Sequence, residues 1–279
     1  MVDRNVKSPS PLAVLLLGGV MVLAACDRTV EEAPTPPRVP DIAPAPGPVI
    51  PTTALGRADF IDGADQAADI FARGSTSGDG PDSMVGRTFS VRLPIGCGGP
   101  LAAAETDPPA DGRGHVRWDE AGQSLTLSLA PADWVAASPV GDVPTDWEVI
   151  EGLWIERPWI RSDTCPALRP EAEGADARAD APSIGLAVVH AEDDSRLGRR
   201  NGRPYRHVIR ATSGQILIPP AGGWRIRLEG RVVGFPDGRA FRCRATGPDT
   251  RPVCVAAVQL DRIAFEDAAG ATLSEWRPG

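Results

Sequence analysis

Apolar and polar side chains alternate strictly in several stretches of this chain, and a period of two admits little except β-sheet. Phe89, Val91 and Leu93 fall on one side of 87–93, with Thr88, Ser90 and Arg92 on the other. Leu125, Leu127 and Leu129 alternate with Ser124, Thr126 and Ser128. Val116 and Trp118 do the same ahead of Glu120-Ala121-Gly122. Successive strand residues face opposite ways, so each run predicts a half-buried strand, and the two flanking 120–122 predict a hairpin. Trp224, Ile226 and Leu228 repeat the pattern before Pro236-Asp237-Gly238, a turn sequence. Residues 253–265 read as a further strand, which Ala268-Ala269-Gly270 turns into 272–276.

One segment has a different period. Phe60, Ile61, Ala64, Ala67, Ala68 and Phe71 recur at steps of three and four. They predict a helix over 57–73 that stops at Gly74. The expected fold is therefore mainly β, an antiparallel sandwich or partly closed barrel with one N-terminal helix. No fixed-period repeat points to a solenoid or propeller. Three stretches rich in Pro, Ala, Asp and Gly, 100–113, 131–146 and 166–182, read as inert insertions.

Cys97, Cys165, Cys243 and Cys254 are an even set. Gly247-Pro248-Asp249-Thr250 reads as a turn with Pro at its second position. A hairpin centred between Pro248 and Asp249 sets Thr246 opposite Arg251 and Cys243 opposite Cys254. Directly opposed residues have the Cα separation that a disulfide needs. That pairing leaves Cys97 for Cys165. A metal or redox site is the competing reading, but no Cys-x-x-Cys spacing exists and no histidine lies close to two cysteines.

The fifth cysteine stands apart. Arg4 and Lys7 precede an apolar run over 12–23, and Leu23-Ala24-Ala25-Cys26 closes it. A positive flank, a short apolar run and small residues at the cut mark an export signal. The run is shorter than the roughly 20 residues of a membrane-spanning helix. These residues resemble the lipobox of bacterial lipoprotein precursors. The resemblance covers residues 1 to about 27 and implies diacylglycerol on the Cys26 sulfur, cleavage before Cys26 and acylation of the new amino group, as with palmitate. Asp27 is a residue that in some bacteria keeps lipoproteins in the inner membrane; inner and outer membrane both stay open. The expected organisation is a signal peptide over 1–25, a lipidated Pro-rich linker over 26–56 and one β-rich, periplasm-facing domain over 57–279. Proline excludes helix from 27–56 and favours an extended polyproline path, about 3.1 Å per residue or roughly 90 Å in all.

The chain carries 29 basic and 37 acidic residues, net −8, and Lys7 is its one lysine. An acidic domain gains nothing from counterion release, so nucleic acid is not an expected partner. Without a lysine after the signal there is no phosphate-binding Gly-Lys loop, and no His-Glu-x-x-His occurs. No cofactor and no metal are expected. Gly74-Ser75-Thr76-Ser77-Gly78 comes near a nucleophile elbow but places Thr76 at the nucleophile position. His115, His190 and His207 lie far apart in sequence, and His190-Ala191-Glu192-Asp193-Asp194 is a weak cation motif.

Three of the seven tryptophans, Trp147, Trp154 and Trp159, fall within fifteen residues beside Glu148, Glu151, Glu156, Arg157 and Arg161. One reading is a core strand, favoured because the domain is short of other aromatics. The other is an interaction surface built on Trp154, Trp159, Arg157 and Arg161 for a sugar, a peptide or another protein. The function expected is that of a lipid-anchored envelope protein with a binding or structural role. Its partners would be the membrane, through acyl chains on Cys26, and an envelope protein or glycan. Catalysis is the weaker expectation, in the form of a periplasmic hydrolase using acids and histidines.

Overall fold

The computed structural model describes residues 53–74, 82–102, 109–119, 123–134, 139, 147, 149–167, 184–190, 197–212 and 216–278. They fall in one unit, Pro51–Gly279. In chain order the elements are α1 (Arg57–Ala72), β1 (Thr88–Ile95), β2 (Gly114–Trp118), β3 (Ser124–Leu129), β4 (Ala132–Asp133), β5 (Val149–Trp154), β6 (Ile184–His190), β7 (Tyr205–Arg210), β8 (Trp224–Val232), β9 (Phe241–Arg244), β10 (Val253–Glu266) and β11 (Thr272–Trp276).

Two sheets result. The larger has the order β1-β8-β10-β6-β5-β4, with β9 and β11 also paired to β10, and the smaller is β2-β3-β7. The alternating runs become β1, β2, β3 and β8, and the expected mainly β sandwich with one helix is what forms. The two sheets are separate, so the barrel alternative does not apply. One pairing departs from an all-antiparallel plan. β6 lies parallel to β10, with Cys254 opposite Ile184 and Val258 opposite Val188. Every β6 residue is buried, as expected of a strand covered on both faces.

The main core lies on one face of the large sheet. Phe89, Val91, Leu93 and Ile95 of β1 and Trp224, Ile226 and Leu228 of β8 point into it, as do Val116, Leu125, Leu127 and Leu129 of the small sheet. The helix adds Phe60, Ile61 and Ala64, and Phe60 meets Phe89 and Phe241 edge-on at 5.4 and 6.2 Å. Leu55, within the segment read as linker, is already buried and hydrogen-bonds to the edge of β1, from its N–H to Thr88 O and from Ser90 N–H to its carbonyl.

A bulge in β10 reassigns faces. Leu260 opposes Gly230 and Arg262 opposes Glu229, which leaves Asp261 as the extra residue. Cys254, Ala256, Val258 and Leu260 face the main core before it, and Ile263 and Phe265 after it. Arg262 and Glu266 are thereby turned to the opposite face. There Arg92 Nε donates to Glu266 Oε2 at 2.9 Å, and Arg262 donates to Glu275 and Glu229 at 2.8 and 3.0 Å. The β5–β6 half of that face is aromatic instead. Trp134 packs with Ile150, Ala187 and Val255, and Phe235 with Val189 and Ala257. Trp134 lies in 131–146, one of the stretches read as inert; its ring fills the space left by two glycines, since a Cβ on Gly152 or Gly185 would come within 1.9 or 2.6 Å of it.

Both disulfides join the expected cysteines. Cys243 and Cys254 are register partners in β9 and β10 with Cα atoms 4.1 Å apart. Cys97 and Cys165 have Cα atoms 5.2 Å apart and link the end of β1 to the segment after β5.

Candidate functional site

β5 continues past Trp154 into Ile155, which is fully buried and donates its N–H to Ile184 O at 3.0 Å. The chain then turns. Ile160 N–H donates to Arg157 O at 2.9 Å, with Pro158 at the second position of the turn. Arg157 enters with φ 52, a left-handed value that L residues other than Asn and Asp seldom take. A non-glycine residue held there costs on the order of 1 kcal/mol and persists only where its surroundings impose it.

The surroundings do impose it. Arg57, the first residue of α1 and only 2 % exposed, turns its guanidinium onto this turn. Its Nε donates to Ile160 O at 2.8 Å and its Nη2 to Arg157 O at 3.0 Å and to Glu156 O. Burial lowers the Arg57 pKa, and Asp163 and Glu156 pull it back up. Arg161 forms a two-pronged pair with Asp62 of α1, one prong at 2.9 Å; this bond lowers the Asp62 pKa and raises that of Arg161. Arg157 Nη1 reaches Pro94 O at 3.4 Å and lies 3.7 Å from Glu156 Oε2. The Cys97–Cys165 bridge fastens the chain a few residues on. At the tip sits Trp159, 58 % exposed. An aromatic anchor held ready in this way loses little freedom when it is covered, which is what binding hot spots require.

The tryptophan cluster therefore divides. Trp154 is half-buried and edge-on to Trp134 at 4.9 Å, and Trp147 is half-buried against Phe235 at 5.2 Å. Both belong to the aromatic layer on the large sheet. Arg157, Trp159 and Arg161 share one turn, and Trp154 is not part of it. The clamp by Arg57 was not read from sequence, since it joins residues about a hundred positions apart.

The histidines have three separate settings. His190 Nε2 lies 3.5 Å from Glu151 Oε2, both side chains buried. Glu151 Oε1 accepts the N–H groups of Arg200 and Asn201 at 2.8 and 3.0 Å. Tyr205 closes this cluster: burial raises its pKa, with Glu151 adding to the rise, and Arg200 lies over its ring at 4.5 Å. The Asn201-Gly202 turn was the sequence signal available for this cluster. His115 Nε2 lies 3.1 and 3.2 Å from the two oxygens of Asp111. His207 stands on β7, and burial lowers its pKa. Glu151 and Glu156 have different partners, and Glu148 lies outside the described residues, as do Cys26, Ser75–Gly78 and Ala191–Asp194. Among the described residues no three Asp, Glu, His or Cys side chains converge as a metal site would need. No family model, no curated protein and no solved structure matches the chain.

Proposed function

We propose that this chain is an acylated envelope lipoprotein that binds a partner through the Trp159 turn. The observation that carries the binding reading is an exposed tryptophan on a turn clamped by a buried arginine. Arg157 and Arg161 flank it but are already held by Glu156 and Asp62, so the fitting partner is an envelope protein or glycan with an apolar or sugar face that covers the indole. The envelope setting rests on Leu23-Ala24-Ala25-Cys26, and two disulfides suit an oxidising compartment. The hydrolase reading has less support, because Glu151 already accepts two backbone N–H groups and His190 beside it is buried.

Two experiments test the two halves. Radiolabelled palmitate should enter the wild-type protein and not Cys26→Ala; equal labelling would end the anchor assignment. A photo-crosslinking residue at position 159, in intact cells, should give a discrete adduct that Arg57→Met weakens. The same adduct from the exposed control position 244 would end the binding assignment.

A further inference from the structure

A second exposed feature lies well away in sequence from the Trp159 turn. From Leu197 to Gly223 the chain has five arginines and no Asp or Glu, in a protein whose net charge is −8. Within this stretch Ala211–Gly223 has no charged residue at all. Leu217 packs onto the main core, and its neighbours Ile216 and Ile218 point outward, 88 % and 79 % exposed. Nearby in sequence, β7 and the turn before it expose Arg203, Arg206 and Arg210. Of the acids among the described residues, Glu151 takes the Arg200 and Asn201 N–H groups, and Asp119, near the far end of β7, accepts Gln123 N–H and Ser124 Oγ–H, Ser124 being the register partner of Arg210.

We infer that this stretch docks on an anionic lipid bilayer, with Ile216 and Ile218 entering the interface and the exposed arginines meeting the headgroups. Two isoleucines are far less than the roughly 800 Å² per partner of a stable protein interface. They are enough for an interfacial wedge, because apolar burial and attraction to anionic headgroups act together. The sign of the charge selects the surface. The acidic remainder of the chain is repelled by anionic lipid, which leaves this acid-free stretch as the part that can approach. The overall charge argues against broad adhesion and for adhesion in one orientation.

The inference borrows only its setting from the lipoprotein reading, and its test dispenses with the anchor. The protein used is the chain without residues 1–25 carrying Cys26→Ser, which keeps every described element. It should sediment with vesicles of phosphatidylcholine and phosphatidylglycerol (3:1) and not with phosphatidylcholine alone. Ile216→Ser/Ile218→Ser should lower retention roughly tenfold or more, in keeping with the loss of two inserted side chains. Arg203→Gln/Arg210→Gln should lower it roughly tenfold and weaken its dependence on salt. All four positions are exposed, and both variants are checked by circular dichroism and disulfide mapping. Absence of binding to the anionic vesicles, equal retention on neutral ones, or unchanged retention of both variants would overturn it. Each of those results leaves palmitate labelling at Cys26 as it was, so the two readings fail separately.

Discussion

Arg57 Nε donates to Ile160 O at 2.8 Å across 103 residues of chain. The same side chain bonds the carbonyls of Arg157 and Glu156. A buried guanidinium on three carbonyls is a positioning device: it fixes the backbone of the turn while Trp159 stays free. Arg57→Met keeps the bulk and removes the donors. It should cost about 2–4 kcal/mol, since three acceptors lose a charged partner at once. Amide exchange should rise in 156–161 more than in β8 or β10. Unchanged exchange in the turn, with stability lost elsewhere, would show that the clamp does not hold it.

Gly152 makes room for Trp134. A Cβ at position 152 would lie 1.9 Å from the indole Cε2, 2.1 Å from Cδ2 and 2.4 Å from Nε1. Gly152→Ala should destabilise by about 3 kcal/mol or more, as overpacking does in a filled core. Trp134→Leu should also destabilise, by opening a cavity. The double variant should then be more stable than the sum of the two losses implies, because the smaller side chain accepts the new methyl. Additive urea-unfolding energies would mean that the ring and the glycine are not coupled.

The parts of this fold that were legible in sequence are those set by nearest neighbours along the chain. The alternation in β1, β3 and β8 survives because one face of each meets the core. The Cys243–Cys254 register follows from a turn only four residues long. β6 was harder to read, since a strand buried on both faces has no period, and its parallel partner β10 begins 63 residues after β6 ends. The Asp261 bulge was silent for another reason: it depends on Gly230 in β8, where a Cβ would fall 1.9 Å from the Gln259 carbonyl oxygen. At the candidate site, the tryptophans and arginines were visible as a cluster. Which tryptophan is exposed was not, because Trp154 is claimed by Trp134, a residue from a stretch that reads as loop.

Glu266 is the side chain that the bulge turns away from the core, and it is fully buried. Arg92 at 2.9 Å and Arg227 at 3.4 Å hold it. Removing its charge takes the buried carboxylate from two guanidinium groups, while Arg227 keeps Glu229 at 2.5 Å and Arg92 keeps the more distant Asp163 at 3.9 Å. Glu266→Gln should therefore cost about 2 kcal/mol, the scale of charged hydrogen bonds lost where the partners keep other acids. Glu275→Gln, at the exposed rim of the same layer, should cost much less, because solvent screens its ion pairs. Equal losses would mean that the layer is uniformly solvated.

Asp111 and His115 carry a pH dependence whose sign can be worked out. Burial raises the Asp111 pKa, but the hydrogen bonds from His115 and the Arg113 N–H outweigh it, and the net shift is downward. A carboxyl with a lowered native pKa binds fewer protons folded than unfolded. Its contribution is complete above its unfolded value, about pH 4, and disappears as pH falls through the native value. Asp111→Asn should thus destabilise by about 1 kcal/mol at pH 6, the scale of a partly exposed charged hydrogen bond. The gap between wild type and variant should close as pH is lowered below about 4. Urea unfolding at pH 6, 4 and 3 measures it. A gap that stays constant over that range would assign the loss to packing around position 111 rather than to its charge.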